Sequence, residues 1–222
     1  MVIRSTFVVF LMLSVAIPSI SAETGRDPKR WQGDIDAFVA SDKDQPTRPG
    51  GVVFVGSSSI RMWDLKKSFP DGAFLNRGFG GSEIADSTHY FDELVGKHEP
   101  RLVVFYAGDN DVAAGNDARQ VHEDFRVFVE KFKTELPDAK LLYIAIKPSI
   151  ARWSMAETMK SANALIAADC RADDQLTFID VWPGMLDENG KPKSDIFLGD
   201  GLHMNDNGYV LWAELLRPHL KK

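Results

Sequence analysis

The chain has 222 residues, 44% of them hydrophobic and 26% charged, with a formal net charge of −6. This composition is ordinary for a globular domain, and about 200 residues suffice for one sizeable core but not for two full domains. An acidic balance without a basic patch argues against nucleic acid as a partner.

Residues 1–22 read as an export signal. Arg4 supplies the positive start, residues 6–20 are an apolar run, and Ser19, Ser21 and Ala22 offer a cleavage site. The run is short for a membrane span and has no basic stop-transfer cluster. A secreted or periplasmic protein is therefore expected, without stable membrane insertion after cleavage; a retained anchor is the alternative. With Cys170 as the single cysteine, no internal disulfide is expected, and the helical pattern around it predicts a buried small residue.

Residues 23–50 read as an N-terminal linker and helix. Trp31, Ile35, Phe38 and Val39 fall at helical spacing over 31–41, and 42–51 is a loop. The four apolar residues Val52, Val53, Phe54 and Val55 predict a buried strand. Gly56-Ser57-Ser58-Ser59 then reads as a turn, and 59–67 as a helix. A short strand over 73–76 leads to a glycine-rich loop, Arg77-Gly78-Phe79-Gly80-Gly81-Ser82, and a helix over 83–97. Leu102 to Tyr106 is the strongest strand, followed by a loop at Gly108-Asp109-Asn110-Asp111. A long helix is predicted over 117–135, a strand over 141–146, a helix over 155–171 and a last strand over 176–181. A long loop over 183–198 and a C-terminal helix over 205–215 complete the pattern.

Apolar strands alternating with helical segments imply βαβ units, hence an α/β fold with a parallel sheet covered on both faces. In such sheets ligands bind beyond the carboxyl ends of the strands, which is where the serine, glycine-rich and Gly108–Asp111 loops fall.

Four short stretches carry the chemistry. Ser58, between a strand end and a helix start, suits a nucleophile, since backbone N–H groups there face outward. Asp200 and His203 are three residues apart. That spacing lets the carboxylate accept the imidazole Nδ1–H and leaves Nε2 to take a serine proton. His89, His98, His122 and His219 lack such a setting. Glycines at 80 and 81 permit a backbone N–H to approach a substrate closely. Asn110 offers a neutral side-chain donor to a developing oxyanion, an Asx turn or part of a metal site being the other readings of its loop.

Together these stretches resemble the SGNH hydrolases, the GDSL-like lipase/esterase superfamily. Gly56-Ser57-Ser58-Ser59, Asn76-x-Gly78-x-Gly80-Gly81, Gly108-x-Asn110-Asp111 and Asp200-x-x-His203 follow that family's order and approximate spacing, and the resemblance spans residues 50 to about 215. It implies a hydrolase domain over 51–222 with a flavodoxin-like three-layer α/β/α sandwich on a five-stranded parallel sheet. It also implies Ser58 as nucleophile, His203 as base and Asp200 as its orienting acid. The oxyanion hole would be the N–H groups of Ser58 and Gly81 with the Asn110 side chain, Gly81 fitting the block better than Gly80. One departure is Ser57, where the family usually carries Asp.

The implied activity is a serine esterase that needs no metal or organic cofactor. Charged, glycine-rich loops favour short, acetyl-type esters of glycans or small molecules; lysophospholipids and thioesters are the alternatives within the class. Rivals from other classes are a metal-dependent phosphoesterase using Asp109, Asp111, Asp195, Asp200 and His203, and a non-catalytic carbohydrate-binding module. The sequence carries no signal of an oligomeric state.

Overall fold

The computed structural model describes residues 27–220. The export signal expected over residues 1–22 lies outside the described residues. Five strands form the sheet: β1 (Val52–Gly56), β2 (Phe74–Gly78), β3 (Leu102–Tyr106), β4 (Lys140–Ile144) and β5 (Leu176–Ile179). All pair in parallel, in the order β2-β1-β3-β4-β5, with Val52 opposite both Phe74 and Leu102. Every residue of β1 and β3 is buried, as uniformly apolar strands covered on both faces must be.

The helices are α1 (Gln32–Asp44), α2 (Ser58–Arg61), α3 (Leu65–Ser68), α4 (Ile84–His89), α5 (Phe91–Leu94), α6 (Asp109–Ala113), α7 (Ala118–Glu135), α8 (Ala156–Arg171), α9 (Trp182–Met185) and α10 (Asp206–Leu220). Strand alternation sends neighbouring side chains to opposite layers. Phe105 stacks on Phe128 of α7 with ring centroids 4.0 Å apart, and Tyr143, its partner on β4, meets Phe125. Tyr106, the next residue, turns to the other face and packs on Trp212 of α10. Phe54 of β1 joins it there through Trp63. The result is the expected three-layer α/β/α sandwich with one continuous core.

Three local expectations are corrected. The helix expected over 59–67 is two separate turns, because the Asp64 carboxylate accepts the Lys67 N–H and starts α3 afresh. The helix expected over 83–97 breaks at Tyr90, which leaves helical geometry and whose hydroxyl donates to the Pro28 carbonyl. Gly108-Asp109-Asn110-Asp111 is not a loop. Gly108 caps α6 with positive φ and sends the chain from β3 straight into a helical turn. Cys170 is buried on α8, as expected.

Candidate active site

The sheet order reverses between β1 and β3. β1 runs on to a neighbour at one edge and β3 to one at the other, so their carboxyl ends open a crevice. Gly56 ends β1 there at φ +131°, and a Cβ on it would lie 1.9 Å from the Tyr106 carbonyl oxygen. Only glycine lets the two strand ends come so close. Ser57 follows, its N–H bonded to that same oxygen, and Ser58 is the first residue of α2. At that position its own N–H has no acceptor within the helix.

His203 arrives from the opposite end of the chain. Its Nε2 stands 3.0 Å from Ser58 Oγ, across 145 residues of sequence. Its Nδ1 stands 2.6 Å from Asp200 Oδ2, and Asp200 Oδ1 accepts the N–H groups of Leu202 and His203. Those bonds, the imidazole's foremost, hold the Asp200 carboxyl down to about 2, so it stays ionised. The loop is braced by the Ala151 N–H donating to the Gly201 carbonyl and the Leu198 N–H donating to the His203 carbonyl. Behind the serine, the Tyr209 hydroxyl of α10 donates to the Ser59 carbonyl, and the Trp63 and Tyr209 rings stack. The elements carrying Ser58 and His203 are thus bolted together.

Of the three adjacent serines, Ser57 and Ser59 are buried and only Ser58 reaches the imidazole. The Ser57 hydroxyl has no hydrogen-bond partner among the described residues. Gly81 holds φ +77° in the loop after β2, with the Trp31 ring 3.3 Å from where a Cβ would lie. Asn110 sits in the first turn of α6. Its Nδ2 donates to the Ser82 carbonyl at 2.9 Å, tying α6 to the glycine-rich loop. The serine turn, the glycine-rich loop and the start of α6 therefore lie along one edge.

Sequence reasoning named Asp109 and Asp111 only as possible metal ligands and missed Lys147 and Arg152 beneath this edge. Asp109 is buried, with Lys147 Nζ at 3.3 Å and Arg152 Nη1 at 2.9 Å. Burial pushes its carboxyl up, yet the two cations outweigh that and bring it below the usual range. Burial likewise lowers the Lys147 ammonium, against the pull of Asp109. Arg152 Nη2 donates to Asn110 Oδ1 at 3.0 Å. Asp111 is a buried carboxyl pushed up to about 8, mainly by desolvation, and it accepts the Ile84 N–H. The available signal was a lysine and an arginine placed just after the apolar run of β4, at a strand's carboxyl end.

The residues of the metal-site rival are not gathered. Asp109 faces two cations, Asp111 is buried against α4, and Asp195 lies in a separate turn (Ser194–Ile196). Among the described residues no three His, Cys, Asp or Glu side chains are arranged to hold a metal ion. A cavity of about 820 Å³ lies at the opposite, amino-terminal edge of the sheet, beside Val52, Phe74 and Arg101, away from all these groups.

A hydroxyl, imidazole and carboxylate in series can move a proton off the hydroxyl. Residues 58–211 match the model of the GDSL-like lipase/acylhydrolase family. The chain is similar to the platelet-activating factor acetylhydrolase IB subunit alpha2 of Rattus norvegicus, 24% identical over 214 residues, covering 91% of this chain and 87% of that protein. A GDSL-like lipase from Bacteroides thetaiotaomicron superposes with a TM-score of 0.70 at 22% identity, over 87% of this chain and 97% of that one. A carbohydrate esterase family 3 structure from Talaromyces cellulolyticus gives 0.61 at 19%, over 77% and 96%. At such identities these two structures speak for the fold.

Proposed function

The chain belongs to the GDSL-like lipase/acylhydrolase family and is an ester hydrolase, and on that premise we propose that Ser58, His203 and Asp200 are its catalytic triad. The observation that supports this most is the unbroken series of contacts from Ser58 Oγ through the imidazole to the Asp200 carboxylate. In this reading Ser58 Oγ attacks the ester carbonyl carbon while His203 Nε2 takes the hydroxyl proton. The tetrahedral oxyanion is met by the N–H groups of Ser58 and Gly81 and by Asn110 Nδ2. On collapse the bond to the alcohol breaks, and His203 returns the proton to the departing oxygen. Water then attacks the acyl-enzyme by the same route, releasing the acid and restoring the serine. Asp200 orients the imidazole and balances its transient charge.

The substrate proposed is a short, acetyl-type ester of a glycan or small molecule, met outside the cytoplasm after export. Among the described residues the large exposed apolar side chains are scattered. Ile150 and Leu198 are the two that flank the base loop, enough apolar contact for a short acyl group. The similarity to an acetylhydrolase and to a carbohydrate esterase points the same way. The test of the triad is labelling by a serine-directed fluorophosphonate. Wild type is expected to be labelled and Ser58→Ala not; labelling that survives in Ser58→Ala moves the nucleophile elsewhere.

A further inference from the structure

The reading of Asn110 as an oxyanion donor requires its amide to present Nδ2, not Oδ1, to the substrate. An asparagine side chain is nearly symmetric in shape, so its neighbours must decide which end points where. Here both ends are decided. Oδ1 receives Arg152 Nη2 at 3.0 Å, and a guanidinium has donors only. Nδ2 gives to the Ser82 carbonyl at 2.9 Å, an acceptor only. Turning the amide over would set oxygen against oxygen and N–H against guanidinium.

Arg152 is itself held. Its Nη1 lies 2.9 Å from Asp109 Oδ2, and Asp109 is the residue beside Asn110 on α6. Lys147, almost fully buried, shares that carboxylate at 3.3 Å. The Asp109 carboxylate thus anchors the guanidinium behind the asparagine. A charged donor on Oδ1 also draws electron density from the amide and strengthens the remaining Nδ2–H as a donor.

We propose that Arg152 is a positioning residue of the oxyanion hole, orienting and polarising the Asn110 amide while Asp109, itself paired with Lys147, holds its guanidinium in place. The proposal rests on the assignment of Asn110 given above. Lysine could meet only one of the two acceptors, since it lacks the planar fork that spans them. Because the oxyanion exists only after attack, loss of Arg152 falls on kcat and leaves KM nearly unchanged.

The experiment is a double-mutant cycle with Arg152→Met, Arg152→Lys, Asn110→Ala and the Arg152→Met/Asn110→Ala pair, read as kcat and KM on p-nitrophenyl acetate. Losing one charge-assisted hydrogen bond predicts a kcat about tenfold lower in Arg152→Met, with KM within about twofold. Arg152→Lys is expected between it and wild type, and the double variant no slower than Asn110→Ala alone. Wild-type kcat in Arg152→Met, or single losses that multiply in the double variant, would overturn the proposal. Unchanged kcat in Asn110→Ala would instead remove Asn110 from the oxyanion hole. Should Arg152→Met fail to fold, the same cycle with Arg152→Lys, which keeps a cation beside Asp109, reads the coupling.

Discussion

At the scale of single residues, the presence or absence of a neighbouring cation separates two buried carboxyls of α6. Asp109 has cations beside it and stays charged, while Asp111 has none and is pushed up to about 8 by desolvation. Between the ordinary carboxyl value of 3.8 and about 8, folded Asp111 therefore binds more protons than the unfolded chain does. Stability from this group is fully present at the acid end of that window and is lost as pH rises through it. Asp111→Asn mimics the protonated form and escapes the loss. Its melting temperature relative to wild type should be higher at pH 8 than at pH 5, by several degrees. An identical difference at both pH values would show that Asp111 is ionised in the folded protein. Ser57 illustrates the opposite case. Its buried hydroxyl finds no partner among the described residues.

At the scale of elements, the site depends on how closely β1 and β3 approach. The positive φ of Gly56 and the Tyr106 carbonyl leave no room for a methyl group. Gly56→Ala combines backbone strain with overpacking, each worth about 1–3 kcal/mol. A destabilisation of at least about 3 kcal/mol is expected in urea unfolding, with a loss of activity that follows the loss of folded protein. A variant as stable as wild type would mean that the strand ends can part without harm. The short turns α2 and α6 show why periodicity alone failed here. Each is four or five residues long, too short to display a helical repeat. Each is set by its cap and by the strand feeding it. The long helix α7, with Val121, Phe125, Phe128 and Phe132 buried along one face, was legible from spacing.

At the scale of the whole molecule, the sheet topology brings together groups far apart in sequence. Serine, glycine-rich loop, asparagine and histidine each follow a strand's carboxyl end or the loop closing over it. A parallel sheet of order β2-β1-β3-β4-β5 collects those ends on one edge. That edge is rich in charge, and among the described residues its large exposed apolar side chains are Ile150 and Leu198 beside the base loop and Met62 beside the serine turn. Hydrolysis of p-nitrophenyl esters should therefore fall from acetyl to butyryl to octanoyl, by about tenfold or more in kcat/KM across the series. Faster turnover of the octanoyl ester would replace the short-acyl proposal with a lipase-like one.

The sequence by itself determined the fold class, five strands close to their true places, and the Ser58, His203 and Asp200 that the structure brings into contact. It could do so because apolar runs, glycine turns and an Asp-x-x-His spacing are local patterns with local physical causes. Tertiary structure alone decided that Ser58 and not its neighbours faces the imidazole. It alone revealed that Lys147 folds back onto Asp109 and Arg152 onto Asn110. Contacts of that kind join residues about forty positions apart, and nothing in the chain near either partner records the other. They exist only because the sheet stacks the ends of β3 and β4 side by side.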